Sequence, residues 1–184
     1  MKFEIRIATS SDAVFVPSII KEIAFWAKFR STGVTNRTED YLLDKIEKGV
    51  VLMAFDESGD WVGFSYLETW KHGRYVANSG LIVRPQYRNI GLSLRLKQAA
   101  LRLAAQQFPE AKVFSLTTSL SVAKLNLELG YRPVSHDVLL EDKDFMNGCG
   151  DLLNFPKMVE THQGDTECFT MVFDPILSRL RKVS

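Results

Sequence analysis

Apolar residues recur along the chain with two spacings, which predict a succession of strands and helices. Short alternating or continuous apolar runs predict strands at residues 3–8, 50–55, 61–70, 75–83, 112–118, 131–134 and 170–173. Apolar residues three and four apart predict helices at residues 14–29, 38–48, 92–108 and 120–129. Asn36 and Glu39 have the spacing of a capping box at the start of the second helix.

The stretch from Leu81 to Leu103 joins a predicted strand to a predicted helix through a short basic turn. The helical pattern starts at Leu92, directly after Gly91, so a helix N-terminus lies at the turn. The first N–H groups of a helix lack partners within the helix, and the helix dipole favours an anion there. Gly91 permits close approach to the backbone, and Arg88 offers donors that suit phosphate oxygens. The turn therefore predicts a phosphate site, and the alternative is an ordinary strand-to-helix connection.

This turn resembles the acyl-coenzyme A signature of the GNAT N-acetyltransferases. The pattern Arg88-x-x-Gly91-x-Ser93 is similar to that signature, except that Ser93 stands where Gly or Ala is usual. A second segment, residues 119–131, resembles another region of the family, with Asn126 where Tyr is frequent. The order of the predicted elements is also the order of that family's fold, which lends the resemblance further support.

The resemblance implies an α+β fold with helices on both sides of one sheet, in an α/β/α arrangement. The sheet is expected to be mixed and mostly antiparallel, and splayed between strands 4 and 5. We expect a single domain over residues 1–184, with a core at 1–135 and a variable C-terminal segment at 136–184. Acetyl-CoA is expected to lie in the opening of the sheet as a co-substrate.

The resemblance also implies which residues hold the cofactor. Backbone amides of the fourth strand are expected to pair with pantetheine, and the turn is expected to hold the pyrophosphate. In this sequence the implied cofactor-binding residues are Leu81, Ile82, Val83, Arg88, Asn89, Ile90, Gly91, Leu92, Ser93, Ser119 and Asn126.

Composition narrows the class of protein. The chain has 184 residues, of which 46% are hydrophobic and 24% charged, values that are ordinary for a soluble globular domain. Its net charge of +1 makes nucleic acid a poor default partner. No apolar run is long enough to span a membrane, and the N-terminus lacks the apolar core of a signal peptide. We therefore expect a cytoplasmic protein, from a bacterial subfamily by resemblance.

The cysteine content predicts neither a disulfide scaffold nor a metal site. Cys149 and Cys168 are too few for a scaffold. Together with His162 they match no compact zinc pattern, because a fourth ligand is not evident. Two buried thiols, or a pair brought close by a loop, are the alternative, and no metal is expected.

Acetyl transfer to an amine needs a proton acceptor, a donor for the oxyanion and a proton source for the leaving thiolate. Asn126 donates hydrogen bonds but does not transfer protons at neutral pH. It either orients the sulfur or the substrate while water supplies the proton, or is structural, or another side chain acts as the acid. Glu68 is the candidate base, acting through water, and the alternative is a solvent-facing strand residue paired with a lysine.

Two further groups of polar residues are candidates for substrate contact. Asn78 and Ser79 interrupt an apolar strand, so they contact substrate or water, or they cap the irregularity beside Gly80. Arg30, Thr32 and Arg37 belong to a polar loop that can hold a substrate carboxylate, and the alternative is a solvated loop. 

The resulting hypothesis is an acetyl-CoA-dependent N-acetyltransferase that acts on a primary amine of a small molecule. The amine attacks the thioester directly in a ternary complex. A homodimer is possible, since the fold often dimerises, but the sequence shows no decisive interface. The alternative within the same chemistry is N-acylation of a glutamate-like amino acid. The alternative of another class is a non-catalytic acyl-CoA-binding regulatory module, favoured by Asn126 and by the absence of an obvious base.

Overall fold

The computed structural model describes residues 2–29, 37–70, 73–135 and 169–176. Its strands are β1 (Glu4–Ile7), β2 (Val51–Phe55), β3 (Trp61–Trp70), β4 (Tyr75–Val83), β5 (Lys112–Thr117), β6 (Arg132–Pro133) and β7 (Phe169–Phe173). Its α-helices are α1 (Val16–Phe29), α2 (Glu39–Glu47), α3 (Leu92–Gln107) and α4 (Leu120–Glu128). These elements confirm the predicted order, with ends that differ by one or two residues.

The strands form one seven-stranded sheet in the order β1-β2-β3-β4-β5-β7-β6. The pairs β1/β2, β2/β3, β5/β7 and β6/β7 are antiparallel, whereas β4 and β5 are parallel. The parallel pair needs a crossover connection, which α3 supplies. Its described register covers only Tyr75–Ala77 with Lys112–Phe114, so the two strands pair only at their beginnings. The predicted fold class, a mostly antiparallel sheet opened between strands 4 and 5 and flanked by helices, is confirmed.

The chain divides into two compact units. The first comprises Met1–Arg30, Asn36–Glu68 and Asn78–Leu103, and the second comprises Ser31–Thr35, Thr69–Ala77 and Ala104–Ser184. Residues 30–36, which carry the sequence-predicted loop residues Arg30 and Thr32, lie outside the described part of the chain. The same is true of residues 136–168, which include Cys149, His162 and Cys168.

The core of the first unit lies where α1 and α2 cover β1, β2 and β3. Ile19, Leu42 and Met53 are fully buried there, because the apolar faces of both helices point at the sheet. Trp61 is buried as well, and its indole Nε1 donates to Ser18 Oγ at 2.8 Å, which satisfies its polar atom. Glu68 lies near the end of β3 and is also buried.

The start of the first helical segment differs from the prediction. Residues Ser10–Phe15 form a 3₁₀ turn before α1, which therefore begins at Val16 rather than at Val14. Asp12 Oδ2 accepts from the Thr9 backbone N–H at 2.7 Å, and the carboxylate also accepts from Arg6 at 2.6 and 2.7 Å. Because these bonds hold the carboxylate, they favour the tighter turn over a continued α-helix.

Aromatic side chains pack against one another in the second unit. The Trp70 and Tyr75 rings stack with centroids 5.7 Å apart, and Tyr75 also packs against Phe114 at 6.0 Å. Tyr131 and Phe173 form a further tilted pair at 5.7 Å. None of the helices in the described residues is both long and apolar enough to cross a membrane.

Candidate cofactor site

The turn after β4 has the backbone geometry of an anion-binding loop. A 3₁₀ turn spans Pro85–Tyr87, and α3 then begins at Leu92. Asn89 and Gly91 both have positive φ, 60° and 81°, so the backbone reverses twice just before the helix. No acidic residue lies in the first turn of α3, so the positive end of its dipole is not neutralised there. A Cβ at Gly91 would meet no atom within 4 Å, which leaves room for a ligand above the turn.

Arg88 is held beside this turn by two contacts. Its Nε donates to the Val83 carbonyl at 3.0 Å, and its guanidinium lies 4.3 Å from the Trp26 ring centroid. The Trp26 indole in turn donates to Glu22 at 2.9 Å. The terminal nitrogens of Arg88 make no hydrogen bond to a described residue, so four N–H donors stay available for phosphate oxygens. Sequence reasoning missed Trp26, since nothing local indicates which cation its ring will meet.

The remaining residues predicted to hold the cofactor in this unit lie along β4 and the turn. Leu81 and Ile82 are half-buried and Val83 is buried, whereas Ile90 is exposed. Leu92 is buried in the core, so its contribution to any ligand is confined to its backbone N–H, and Ser93 is half-buried in the first turn of α3. Leu81–Val83 and the Arg88 turn thus follow one another closely along the chain, between the middle of β4 and the start of α3.

β4 is irregular immediately before these residues. Gly80 has φ of 65°, a conformation that residues with side chains rarely adopt. A Cβ at this position would also lie 2.4 Å from the Tyr66 ring, so both conformation and packing require glycine. Asn78 is 8% exposed, and its Nδ2 donates to Ser65 Oγ at 2.8 Å. The Ser65 hydroxyl donates to the Ser79 carbonyl at 3.1 Å.

These contacts bear on the two interpretations of Asn78 and Ser79. The Asn78 side chain is buried and bonded within the protein, which favours the interpretation that it supports the irregularity beside Gly80. Its Oδ1 accepts from Lys97 Nζ at 2.8 Å. Sequence reasoning missed Lys97, although the helical period could have found it. The residue lies three positions before Ala100 and seven before Ala104, on the buried face of α3.

Glu68 is buried, and the expectation of a solvent-facing residue is wrong, although the expected lysine partner is present. Its side chain is 4% exposed, because β3 ends beneath α2 rather than at the surface. One carboxylate oxygen accepts from Lys45 Nζ and the other from the Tyr41 hydroxyl. Arg37 lies over the Tyr41 ring with its guanidinium 4.7 Å from the centroid. Burial raises the pKa of Tyr41 far above its usual range, so this hydroxyl acts as a donor.

Asn126 and Ser119 lie on α4 in the second unit. Ser119 is the N-cap of this helix, and its Oγ accepts from the Val122 N–H at 3.4 Å. Asn126 is fully buried, and its Nδ2 donates to Ser115 Oγ at 3.0 Å and to Met171 Sδ at 3.5 Å. Its Oδ1 has no hydrogen-bond partner among the described residues. These contacts support the structural interpretation of Asn126.

No group of three or more His, Cys, Asp or Glu side chains capable of holding a metal ion occurs in the described part of the chain. The carboxylates that are buried there, Asp12 and Glu68, are engaged by cationic side chains.

Comparison with known proteins agrees with this geometry. The family model described as "Acetyltransferase (GNAT) family" matches residues 20–126, which is more than half of the chain. This match includes β4, the Arg88 turn and α3. No curated protein matches the sequence.

Solved structures share the fold at low sequence identity. N-acetylglutamate synthase from Neisseria gonorrhoeae, complexed with coenzyme A and N-acetyl-glutamate, has a TM-score of 0.65 and 19% identity. The match covers 95% of this chain but only 35% of the synthase chain. Phosphinothricin acetyltransferase from Sinorhizobium meliloti, in complex with AcCoA, has a TM-score of 0.60 and 19% identity over 73% of this chain and 77% of its own.

A third structure extends the likeness to an animal protein. The mosquito arylalkylamine N-acetyltransferase like 5b has a TM-score of 0.61 and 17% identity, over 94% of this chain and all of its own. The family match, the fold and the phosphate-type turn agree with one another. The chain belongs to the acetyltransferase (GNAT) family.

Proposed function

We propose that this protein transfers an acetyl group from acetyl-CoA to a primary amine of a small molecule. The observation that carries the proposal is the Arg88–Ser93 turn, which combines a helix N-terminus, an open glycine and an arginine with available donors in one short segment. The pyrophosphate binds at this turn. The pantetheine arm pairs with the backbone of Leu81, Ile82 and Val83.

The reaction is a direct displacement in a ternary complex. The neutral amine attacks the carbonyl carbon of the thioester, and a C–N bond forms. The tetrahedral intermediate then collapses, the C–S bond breaks and CoA leaves as the thiolate. The nitrogen loses one proton to water, and the thiolate takes one from water. A backbone N–H of Leu81 or Ile82 donates to the oxyanion as it develops.

Glu68 and Asn126 are the candidates for assisting proton transfer in this reaction. Glu68 can act only through water or rearrangement, because both of its oxygens accept hydrogen bonds from Lys45 and Tyr41. Asn126 is buried and bonded within its own unit. These two observations favour the second candidate function, an acyl-CoA-binding regulatory module that does not turn over.

The acceptor is proposed to be a small amine, with an amino acid as the first class to examine. Arg37 is half-buried, and its guanidinium stacks on Tyr41 next to the predicted acceptor loop. A planar guanidinium held in this way suits a substrate carboxylate. The N-acetylglutamate synthase that shares the fold was solved with N-acetyl-glutamate, which gives this class a precedent on the same architecture.

The first test is thermal unfolding with and without acetyl-CoA and free CoA. Ligand at about one hundred times its Kd should stabilise the protein by about 2.7 kcal/mol, which raises Tm by about 5–10 °C. A rise with both ligands supports the cofactor site. An unchanged Tm at saturating ligand would show that the protein does not bind the cofactor and would exclude the proposed function.

Arg88→Ala should weaken CoA binding by about 1.5–3 kcal/mol, the scale of hydrogen bonds to a charged group. Binding can be followed by intrinsic fluorescence, because the Trp26 ring contacts the Arg88 guanidinium. Trp26→Phe is the matched control, since it removes the reporter and leaves the arginine. Unchanged CoA affinity in Arg88→Ala would exclude this residue from the phosphate site.

Turnover separates the enzyme from the binding module. CoA release is measured with a panel of amines, amino acids first, against background thioester hydrolysis. Release above background supports the transferase, and binding without release supports the module. For any accepted amine, Glu68→Gln with retained folding tests the base, since a carboxylate that relays protons through water should lose kcat rather than affinity.

The domain organisation, oligomeric state, location and source of the protein are proposals as well. We expect one domain over residues 1–184, a homodimer, a cytoplasmic location and a bacterial source. Sedimentation of the purified chain tests the dimer directly.

A further inference from the structure

A chain of buried polar side chains connects α3 to the irregular part of β4. Lys97 Nζ donates to Asn78 Oδ1 at 2.8 Å, and Asn78 Nδ2 donates to Ser65 Oγ at 2.8 Å. The Ser65 hydroxyl then donates to the Ser79 carbonyl at 3.1 Å. Lys97, Asn78 and Ser65 are only 2%, 8% and 0% exposed, so solvent does not compete for these bonds.

Every hydrogen bond in this series is donated in the direction of the Ser79 carbonyl, so each bond depends on the one before it. The Asn78 amide satisfies both neighbours in one orientation only, with Oδ1 toward Lys97 and Nδ2 toward Ser65. With that orientation set, the single hydroxyl proton of Ser65 is directed at the Ser79 carbonyl. Through Asn78 and Ser65, Lys97 therefore determines whether the Ser79 carbonyl receives a hydrogen bond.

The carbonyl at the end of the chain belongs to the peptide group that precedes Gly80. Gly80 has φ of 65° and lies against the Tyr66 ring, so β4 changes direction there. A hydrogen bond to the Ser79 carbonyl fixes the plane of this peptide group. The orientation of the following residues, Leu81–Val83, depends on that plane.

A lysine is a costly choice for this position. Burial lowers the pKa of Lys97 to about 8, because the charged form loses its hydration. A methionine has a similar length and would fill the same space without that cost. Violations of the rules for buried residues are expected where function or local strain requires them, which fits a polar chain that ends at an irregular peptide.

We propose that Lys97 is a positioning residue that, through Asn78 and Ser65, holds the Ser79–Gly80 peptide so that the β4 amides are presented to the pantetheine arm of acyl-CoA. This inference rests on the proposed function. It assigns to α3 a second role, because the same helix that receives the pyrophosphate at its N-terminus also shapes the strand that receives pantetheine. Lys97 touches neither ligand in this arrangement.

The test compares two ligands by titration calorimetry. CoA carries pantetheine, whereas 3′-phospho-ADP carries the same nucleotide and pyrophosphate without it. Lys97→Met should weaken CoA binding about tenfold, equivalent to about 1.4 kcal/mol, and should leave 3′-phospho-ADP unchanged. Arg102→Met is the matched control, since Arg102 is exposed on the same helix and should bind both ligands as the wild type does.

Ser65→Ala removes the last hydrogen bond of the series, the one to the Ser79 carbonyl. It should also weaken CoA binding and leave 3′-phospho-ADP binding unchanged. The double variant should lose no more than either single variant, because both remove one shared effect. Circular dichroism and thermal unfolding establish that each variant is folded, and Ser65→Ala decides the matter if Lys97→Met does not fold.

Equal weakening of both ligands would reduce Lys97 to a structural role and overturn the proposal. Unchanged CoA binding in both folded variants would overturn it as well. Wild-type protein that binds neither ligand would instead refute the proposed function, so the two failures are distinguishable.

Discussion

Among the described residues of the first unit, Lys45 and Lys97 are both buried, the first against a carboxylate and the second against an amide. Lys45 is 7% exposed and forms an ion pair with Glu68, which also accepts from Tyr41. Lys97 is 2% exposed and donates to the neutral amide of Asn78. The first arrangement compensates a buried cation with a buried anion. In the second, the described acceptor is neutral, and burial lowers the pKa of Lys97 to about 8.

The difference predicts which site tolerates substitution. Removing one member of an ion pair strands the other as an uncompensated buried charge. Removing Lys97 leaves the neutral Oδ1 of Asn78 without this donor and also removes the cost of burying a cation. We therefore expect the two lysines to respond in opposite directions to the same change, and the first two of the measurements below test this.

The largest expected effect is the loss of Lys45. Lys45→Met should destabilise the protein by about 3–5 kcal/mol, because Glu68 stays buried without its cation. Urea unfolding at pH 7 measures the change. Lys48→Met at the C-cap of the same helix is the control, since its pair with Asp44 is exposed and worth at most about 0.5 kcal/mol. The ion-pair account fails if Lys45→Met, with Glu68 still present, lowers the free energy of unfolding by less than about 1 kcal/mol.

The second measurement is the pH dependence of stability around Lys97. Its folded pKa of about 8 lies below the ordinary value of 10.5, so between these values the unfolded state binds more protons. The free energy of unfolding should therefore rise with pH across this window, by about 3 kcal/mol in total. Lys97→Met should lack the rise and should be at least as stable as the wild type at pH 7.

The comparison between wild type and variant is needed because buried tyrosines act in the opposite sense. Burial raises the pKa of Tyr66 and of Tyr131, so stability is lost above about pH 10 as the unfolded state ionises. These contributions are shared by both proteins and cancel in the difference. A wild-type curve that runs parallel to that of Lys97→Met from pH 7.5 to 10 would contradict the account.

The smallest effect concerns a more exposed ion pair. The hydrogen bond from Arg6 lowers the pKa of Asp12 to about 2, and burial of the carboxylate opposes it. This contribution is present above pH 3.8 and is lost as pH falls toward 2. Because the Arg6 side chain is 35% exposed, it should amount to about 1–2 kcal/mol. Acid titration of wild type and Asp12→Asn, monitored by circular dichroism, should show a steeper loss in the wild type, and equal slopes would argue against it.

Local patterns predicted the fold and the turn between β4 and α3 because both depend on residues close in sequence. The helix that begins after Gly91, the donors of Arg88 and the order of the strands all follow from short spacings. The helix cap shows the limit of such patterns. Asn36 and Glu39 have the spacing of a capping box, yet the N-cap of α2 is Thr38, whose Oγ1 accepts from the Tyr41 N–H at 3.2 Å.

The buried networks could not be predicted, because their partners are distant in sequence. Lys45 meets Glu68 across 23 positions, and Lys97 meets Asn78 across 19. Helical spacing places both lysines on apolar faces, but it does not say whether a carboxylate or an amide will receive them. That choice depends on strand register, which is decided by the packing of the whole unit.

The glycine at position 80 limits how this protein can be redesigned. Strand stability is usually improved by introducing β-branched residues, and an engineer would start with the weakest strand position. Two features exclude a β-branched residue at Gly80: its positive φ, and the Tyr66 ring, which any Cβ would overlap. Shrinking that ring would make space without changing φ. Any stabilised or thermotolerant version must therefore keep this kink and gain its stability elsewhere.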